Sequence, residues 1–184
     1  MFLSLIPHPD FPSVAVDQLA VEVEWEEGCF TFTYRVTGRA DEVAWPETKR
    51  LDGESMRADE LWRHTCFEAF FGEIGQPSYV ELNFSPSLQW AAYAFDDYRA
   101  GMRNFDGDLG EVLVSSFHRP LDGEWRFGTF PLADPAHELR LGLSAVIEAK
   151  DGTKSYWALA HAPGPPDFHN PDCFIATLPA PAAK

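Results

Sequence analysis

Residues 61–84, LWRHTCFEAFFGEIGQPSYVELNF, decide how this 184-residue chain folds. Phe67, Ala69 and Phe71 alternate with Cys66, Glu68 and Phe70; further on, Val80, Leu82 and Phe84 alternate with Tyr79, Glu81 and Asn83. A period of two belongs to β-strands, whose successive side chains point to opposite faces. Each run therefore has one wholly apolar face and one face that carries a carboxylate. If the turn at 72–78 makes the two strands antiparallel neighbours, their apolar faces lie on the same side and paired residue numbers have an odd sum. Glu68 then stands opposite Glu81 or Asn83. Opposed side chains in such a pair have Cβ atoms about 4.5–5.5 Å apart, where like charges repel. An offset is expected: a cation such as Arg63 or Arg99, a bound metal, a shared proton, or a ligand rich in hydroxyl donors.

Alternation continues on both sides. Val21, Val23 and Trp25 alternate with Glu22 and Glu24, a turn is expected at 26–28, and Phe30, Phe32, Tyr34 and Val36 alternate with Thr31, Thr33 and Arg35. This reads as a hairpin with one wet face. Residues 43–45 predict a short strand ended by Pro46, and 47–60 a polar loop. After the Ser85-Pro86-Ser87 break, Trp90, Ala92 and Ala94 alternate with Ala91, Tyr93 and Phe95, favouring a strand over a short helix. Residues 111–117, 124–130, 138–148 and 154–161 predict four more strands, with turns at 122–123 and 151–152; 132–137 could form one helical turn, cued by Asp134-Pro135. About ten short strands with regularly spaced turns point to an all-β antiparallel β-sandwich. The expected organisation is a single domain over 1–184, frayed from about 179.

Composition narrows the function classes. Hydrophobic residues make up 45% of the chain and the formal net charge is −15, so a sizeable core is expected and attraction to nucleic acid or an anionic membrane is not. Three cysteines (Cys29, Cys66, Cys173) form no disulfide framework and fit a reducing compartment. The N-terminal residues lack a basic region and Pro7 interrupts their apolar run, which leads to an expectation of no signal peptide and a cytoplasmic location. No stretch approaches the roughly 20 apolar residues of a membrane span.

The residues that could carry chemistry are few. Most of the aromatics, 14% of the chain, suit a β-core; Trp62, Trp90 and Trp157 stand where an indole could instead meet a ligand, Trp157 on the same alternating face as His161. An indole face beside carboxylates and amides can hold a sugar, stacking on C–H groups while charged acceptors take the hydroxyls. His64, His161 and His169 lie near strand ends or in the loop APGPPDFHNPD, without the spacing of a zinc site; His161 and His169 could converge if that loop folds back. No metal site is expected. Glu68 and Glu81 could also be read as a glycosidase pair, but any two acidic residues on adjacent strands lie at such a distance. Asp96-Asp97 followed by Tyr98-Arg99 reads as a loop with an internal ion pair, from which Arg99 could reach the carboxylates. No nucleotide-binding, nucleophile-elbow or zinc-protease motif occurs.

The blocks LWRHTCFEAFFG, YVELNFSPSLQWAAYAFDDYRAGM and YWALAHAPGPPDFHNPDCF resemble the bacterial DOMON-like proteins, relatives of the family 9 carbohydrate-binding modules. The resemblance runs from LIPHP near residue 5 to PDFHNPDCF. It implies a β-sandwich in which sugar-binding members grip a terminal saccharide between two tryptophans. Carried over, it marks Glu68, Glu81 and Asn83 as the polar centre, with Trp62 and Trp157 as aromatic platforms. The calcium sites of family 9 modules have no counterpart motif, and no leader or linker is expected here, whereas those modules are usually appended to secreted enzymes. Haem-binding members use Met and His as axial ligands; Met56, Met102 and several histidines exist here without marking a pair. The expected function is a non-catalytic binding domain for a saccharide or other polyhydroxylated small molecule, with Glu68, Glu81 and Asn83 on one sheet face and Arg99, Trp62, Trp157 and His161 at the rim. The alternatives are a haem-binding domain and an acidic protein-interaction module with a vestigial ligand site.

Overall fold

The computed structural model describes residues 1–26, 29–47, 56–106, 113–119, 122–129 and 138–178. Their regular structure is almost wholly β. The strands are β1 (Phe2–Pro7), β2 (Val16–Glu26), β3 (Cys29–Gly38), β4 (Met56–Arg57), β5 (Cys66–Glu73), β6 (Tyr79–Phe84) and β7 (Gln89–Phe95). They continue with β8 (Arg103–Asn104), β9 (Leu113–Arg119), β10 (Asp122–Thr129), β11 (Leu139–Glu148), β12 (Lys154–Ala158) and β13 (Ala176–Leu178).

The ladders join in one path, β4-β7-β6-β5-β11-β12-β1-β2-β3-β10-β9, with β13 beside β11 and β8 beside β7. Among the described residues only the short β4–β7 pair is parallel. β1 is the joint: Phe2 to Leu5 pair with β2, while Ile6 and Pro7 pair with β12. The result is a curled open sheet, and the curl brings the apolar faces of its two halves together. Phe30 lies 5.1 Å from Phe71, Tyr34 4.7 Å from Phe67 and Phe84 4.6 Å from Phe127, ring centre to ring centre. These rings are sealed from water, and each such side chain stabilises the fold by about 1.5–3 kcal/mol through burial.

Several expected boundaries shift. Residues 43–45 form no strand: a 3-10 turn at Ala40–Glu42 leads to a single bridge between Val43 and Ala149. Asp122 and Gly123, expected to turn, already belong to β10 and pair with Arg119 and His118. The 151–152 hairpin forms as expected, with Gly152 at φ +86° and the Thr153 N–H donating to Asp151 Oδ1 at 2.9 Å, but its second strand ends at Ala158 rather than at 161. β1, β4, β8 and β13 were not expected as strands; β4 falls inside the expected 47–60 loop, where Met56 and Arg57 pair with β7. Residues 27–28 of the first turn, 48–55 of the polar loop, 111–112 and 130 at strand ends, the 132–137 turn and the tail from 179 lie outside the described residues.

A second, smaller core covers the other face of β5 and β6. Cys66, Phe70, Tyr79, Tyr93 and Phe95 are buried there with Cys173 and Phe174. The cover is the loop 159–174. His8 pins it to the end of β1 through Nε2 and the Gly164 carbonyl (3.0 Å), and Phe174 seats against Gly142, where an added Cβ would lie 2.6 Å from the ring. Both faces of β5 are therefore buried, although its sequence alternates.

Candidate functional site

β5 and β6 pair with Phe67 opposite Phe84, Glu68 opposite Asn83 and Phe70 opposite Glu81. The odd-sum register holds, and of the two partners open to Glu68 the structure selects the amide. Glu81 becomes a diagonal neighbour, a relation that typically spans about 7–8 Å between Cα atoms. On the other flank, β11 places Ser144 opposite Glu68.

Each carboxylate is held by one neutral donor. Ser144 Oγ donates to Glu68 Oε2 at 3.0 Å, and Asn83 Nδ2 donates to Glu81 Oε1 at 2.7 Å. The second oxygen of each has no hydrogen-bond donor among the described residues, although Glu68 is only 3% exposed and Glu81 4%. No arginine touches them. Arg63 pairs with Glu60 at 2.7 Å, and Arg99 gives Nη2 and Nε to Asp167 Oδ1 at 2.7 and 3.1 Å. Burial first, and then the charge of Glu81, pushes Glu68 up to about 8. Burial likewise lifts Glu81 to about 7, against the pull of the Asn83 hydrogen bond and of Arg99. Of the offsets expected for paired carboxylates, a retained proton is the one realised at neutral pH, with Arg99 helping from a distance. Tyr34 and Cys66, which feel the Glu68 charge, are also pushed up by burial and stay neutral.

Both glutamates line a cleft of about 360 Å³, within the usual range for small-molecule sites. Trp62, Phe95, Tyr156 and Phe168 supply aromatic walls, Val146, Met102 and Pro166 add apolar surface, and Arg99 and His169 complete the lining. The 3-10 turn Leu61–Arg63 presents Trp62, whose ring meets Tyr93 edge-on at 5.9 Å. The loop 159–174 delivers Pro166, Phe168 and His169. Asn170 caps its 3-10 turn Pro171–Cys173 by accepting from the Asp172 N–H, and the Cys173 thiol donates to the Asp167 carbonyl.

His169 is neutral: burial, with Arg99 adding to it, drives it down to about 4. Its Nδ1 lies 2.8 Å from the Tyr79 hydroxyl, which accepts from the Arg99 backbone N–H. The tautomer that suits both contacts has Nδ1 accepting and Nε2 protonated. Nε2 stands 3.8 Å from Glu81 Oε2, too far for a hydrogen bond and, with the ring neutral, no ion pair.

The expected site residues divide. Glu68, Glu81, Arg99 and Trp62 meet at the cleft. Asn83 is fully buried behind it and acts by holding Glu81. Trp157 is a correction: 2% exposed, it belongs to the main core, its Nε1–H donating to Ser155 Oγ at 3.0 Å. β12 pairs Trp157 with Ala145 and Tyr156 with Val146, and β5 pairs Ala145 with Phe67, so Trp157 shares the core face and Tyr156 the cleft face. His161 is a correction too. Its Nε2 contacts the Ile6 carbonyl at 2.9 Å and its ring packs on His8, outside the cleft lining. Trp90 lies under the Arg57 guanidinium, 5.7 Å from ring to carbon. Sequence reasoning missed Phe95, Met102, Tyr156, Phe168 and His169 as lining; the alternation of β12 held a signal for Tyr156, and that of β7, which sets Phe95 and Tyr93 on the face of Tyr79 and Glu81, a signal for Phe95.

A second depression, of about 630 Å³, includes Asp59, His64, Ser85, Ser87, Gln89 and Glu148. These six already have partners: His64 meets Glu148 at 2.7 Å, Ser85 meets Ser87 at 2.8 Å, Ser87 donates to Gln89, and Asp59 accepts from Tyr93. Among the described residues no three His, Cys, Asp or Glu side chains group as metal ligands, and no helix is long and apolar enough to cross a membrane.

No protein-family model matches the chain, and no curated protein matches it. Solved structures do. A protein from Bacteroides uniformis described as a candidate carbohydrate-binding protein superposes with a TM-score of 0.67 at 13% identity, over 97% of this chain and 85% of that one. A family 9 carbohydrate-binding module from Caldicellulosiruptor kristjanssonii, in complex with cellotriose, superposes with a TM-score of 0.51 at 9% identity, over 89% and 74%. At such identities the likeness is one of fold: this chain has an all-β curled sheet similar to that of carbohydrate-binding proteins, a family 9 module among them.

Proposed function

We propose that the cleft binds a saccharide or another polyhydroxylated small molecule without catalysis, and that the chain is a DOMON-like relative of the family 9 modules whose curled sheet works as a β-sandwich. One observation carries this reading: two buried carboxylates each keep an unpartnered oxygen in a cleft walled by aromatic rings. Sugar hydroxyls donate to those oxygens, and the bond strengthens where a carboxyl is ionised, since hydrogen bonds to an ionised acceptor are roughly twice as strong as neutral ones. Trp62, Tyr156 and Phe168 offer ring surface to the apolar C–H face of a pyranose. That two proteins of similar fold are described as carbohydrate-binding, one with cellotriose bound, supports the same reading.

Catalysis fits less well. Both carboxylates rise from adjacent strands on one side of the cleft, whereas a glycosidase pair flanks the scissile bond. A haem fits poorly as well, although Met102 and His169 share the cleft, because its apolar face would lie over two carboxylates.

Thermal-shift and calorimetric titration against glucose, cellobiose and a wider sugar panel tests the proposal. A ligand of the native state raises the melting temperature by mass action. The expected result is a sugar-dependent rise that is lost or reduced about tenfold in apparent affinity in Glu68→Gln and in Trp62→Ala. A panel without any shift, or a shift indifferent to both substitutions, overturns it.

A further inference from the structure

Resting on the saccharide reading above, we infer that the sugar selected by this cleft is cationic: an amino sugar whose protonated primary amine sits between the free oxygens of Glu68 and Glu81. The two side chains are more than nine-tenths buried, and each aims an unpartnered acceptor into the cleft. A hydroxyl can satisfy such an oxygen but brings no charge, so the pair cannot ionise fully beside it without two like charges meeting in a poorly solvated site. An ammonium brings three donors and the missing positive charge together.

The protein does not itself supply that charge. Arg99 reaches the cleft with its guanidinium committed to Asp167, and Arg63 is committed to Glu60. His169 is neutral and offers an N–H only. A metal ion is a poor substitute, since no trio of ligating side chains is grouped for one among the described residues. The aromatic walls favour a cation further, because the negative face of an indole or phenol ring attracts it. The formal net charge of −15 draws cations toward the protein and repels anions.

In the free protein a carboxyl proton plays the part of that cation. Binding then becomes an exchange: the ammonium N–H groups donate to the two carboxylates, and the carboxyl proton leaves to solvent. The titratable or charged groups beside the pair include Tyr34, Cys66, Tyr79 and Tyr93, opposite Glu81, all pushed up by burial and neutral, with neutral His169 and the Arg99–Asp167 pair. Of these only Arg99 and Asp167 carry charge near neutrality, and theirs cancel.

The test compares glucosamine, glucose and N-acetylglucosamine by calorimetry at neutral pH, with proton release followed by an indicator dye in weakly buffered solution. Glucosamine is expected to bind about tenfold more tightly than either neutral sugar and to release protons as it binds, which the neutral sugars do not. Its advantage is expected to shrink in Glu81→Gln and in Glu68→Gln, each first shown to be folded by its thermal melt. Neutral sugars that bind as tightly as glucosamine, without proton release, overturn the cationic ligand and leave the saccharide site standing. Failure of all three to bind overturns the cationic ligand, and the saccharide reading falls with it if cellobiose and the wider panel fail as well.

Discussion

The two faces of the β5–β6 pair are built from the same strands with the same alternation, yet they solve different problems. On the inner face Phe67, Phe71 and Phe84 meet the rings of Phe30, Phe32, Tyr34 and Phe127 from the facing half of the sheet, and Leu82 is buried in the same core. Apolar surfaces there need only shape complementarity, and the contact closes completely. On the outer face Glu68, Glu81 and Asn83 interrupt the apolar set, and the cover is the loop 159–174, itself held by a few hydrogen bonds and by Phe174. A carboxylate requires specific donors. The loop does not provide them all, and the cleft lies where the cover is incomplete. One face stores stability, and the other keeps an unmet demand for donors.

The sharpest way to break that contrast is on the inner face. Phe67 is fully buried against Tyr34, Trp125 and Phe127, so Phe67→Ala should cost about 3–5 kcal/mol in urea unfolding. A loss below 1 kcal/mol, roughly the scale of an exposed substitution, would show that this face is not the main store of stability.

The outer face should respond less in stability and more in shape. Gly142→Ala drives a Cβ into the Phe174 ring at 2.6 Å, and overpacking of this kind costs about 1–3 kcal/mol. Because Phe174 anchors the loop, hydrogen exchange at 166–174 should accelerate while exchange in β2 and β3 stays slow. Equal protection in wild type and variant would mean that the loop is held by other contacts.

The smallest effect sharpens the comparison through pH. Glu68 and Glu81 hold their protons at about 8 and about 7 in the folded protein, against 4.5 as the ordinary value. The native state therefore binds more protons than the unfolded chain in that window. The stability this contributes is complete below pH 4.5 and is lost as pH rises through about 7 to 8. Between about pH 5.5 and pH 8.5 the melting temperature of the wild type should fall a few degrees further than that of Glu68→Gln. Parallel curves would show that the carboxylates are solvated in the folded state.

Much of this was legible in the residues. The period of two in 66–71 and 79–84, with its parity condition, reduced the partners of Glu68 to two, and the structure chose between them. The Asp151-Gly152 hairpin was readable because its turn needs positive φ, which glycine adopts without strain. β1 was not, since Phe2 and Ile6 are apolar yet exposed, and no amphipathic pattern marks the strand that joins the two halves of the sheet. Trp157 was assigned to the wrong face because alternation sorts a strand into two sets without saying which set looks inward.

What the sequence determined by itself is local: strand period, hairpin turns, an acidic surface, and two carboxylates on one face of neighbouring strands. The tertiary structure decided everything that depends on what comes to lie opposite. Ser144 reaches Glu68 from β11, 76 residues away in sequence, Arg99 turns to Asp167, and the loop brings Phe168 and His169 over the glutamates. Side-chain chemistry and spacing are written along the chain, but burial, which sets the protonation of Glu68 and Glu81, is a property of the surroundings that distant segments create.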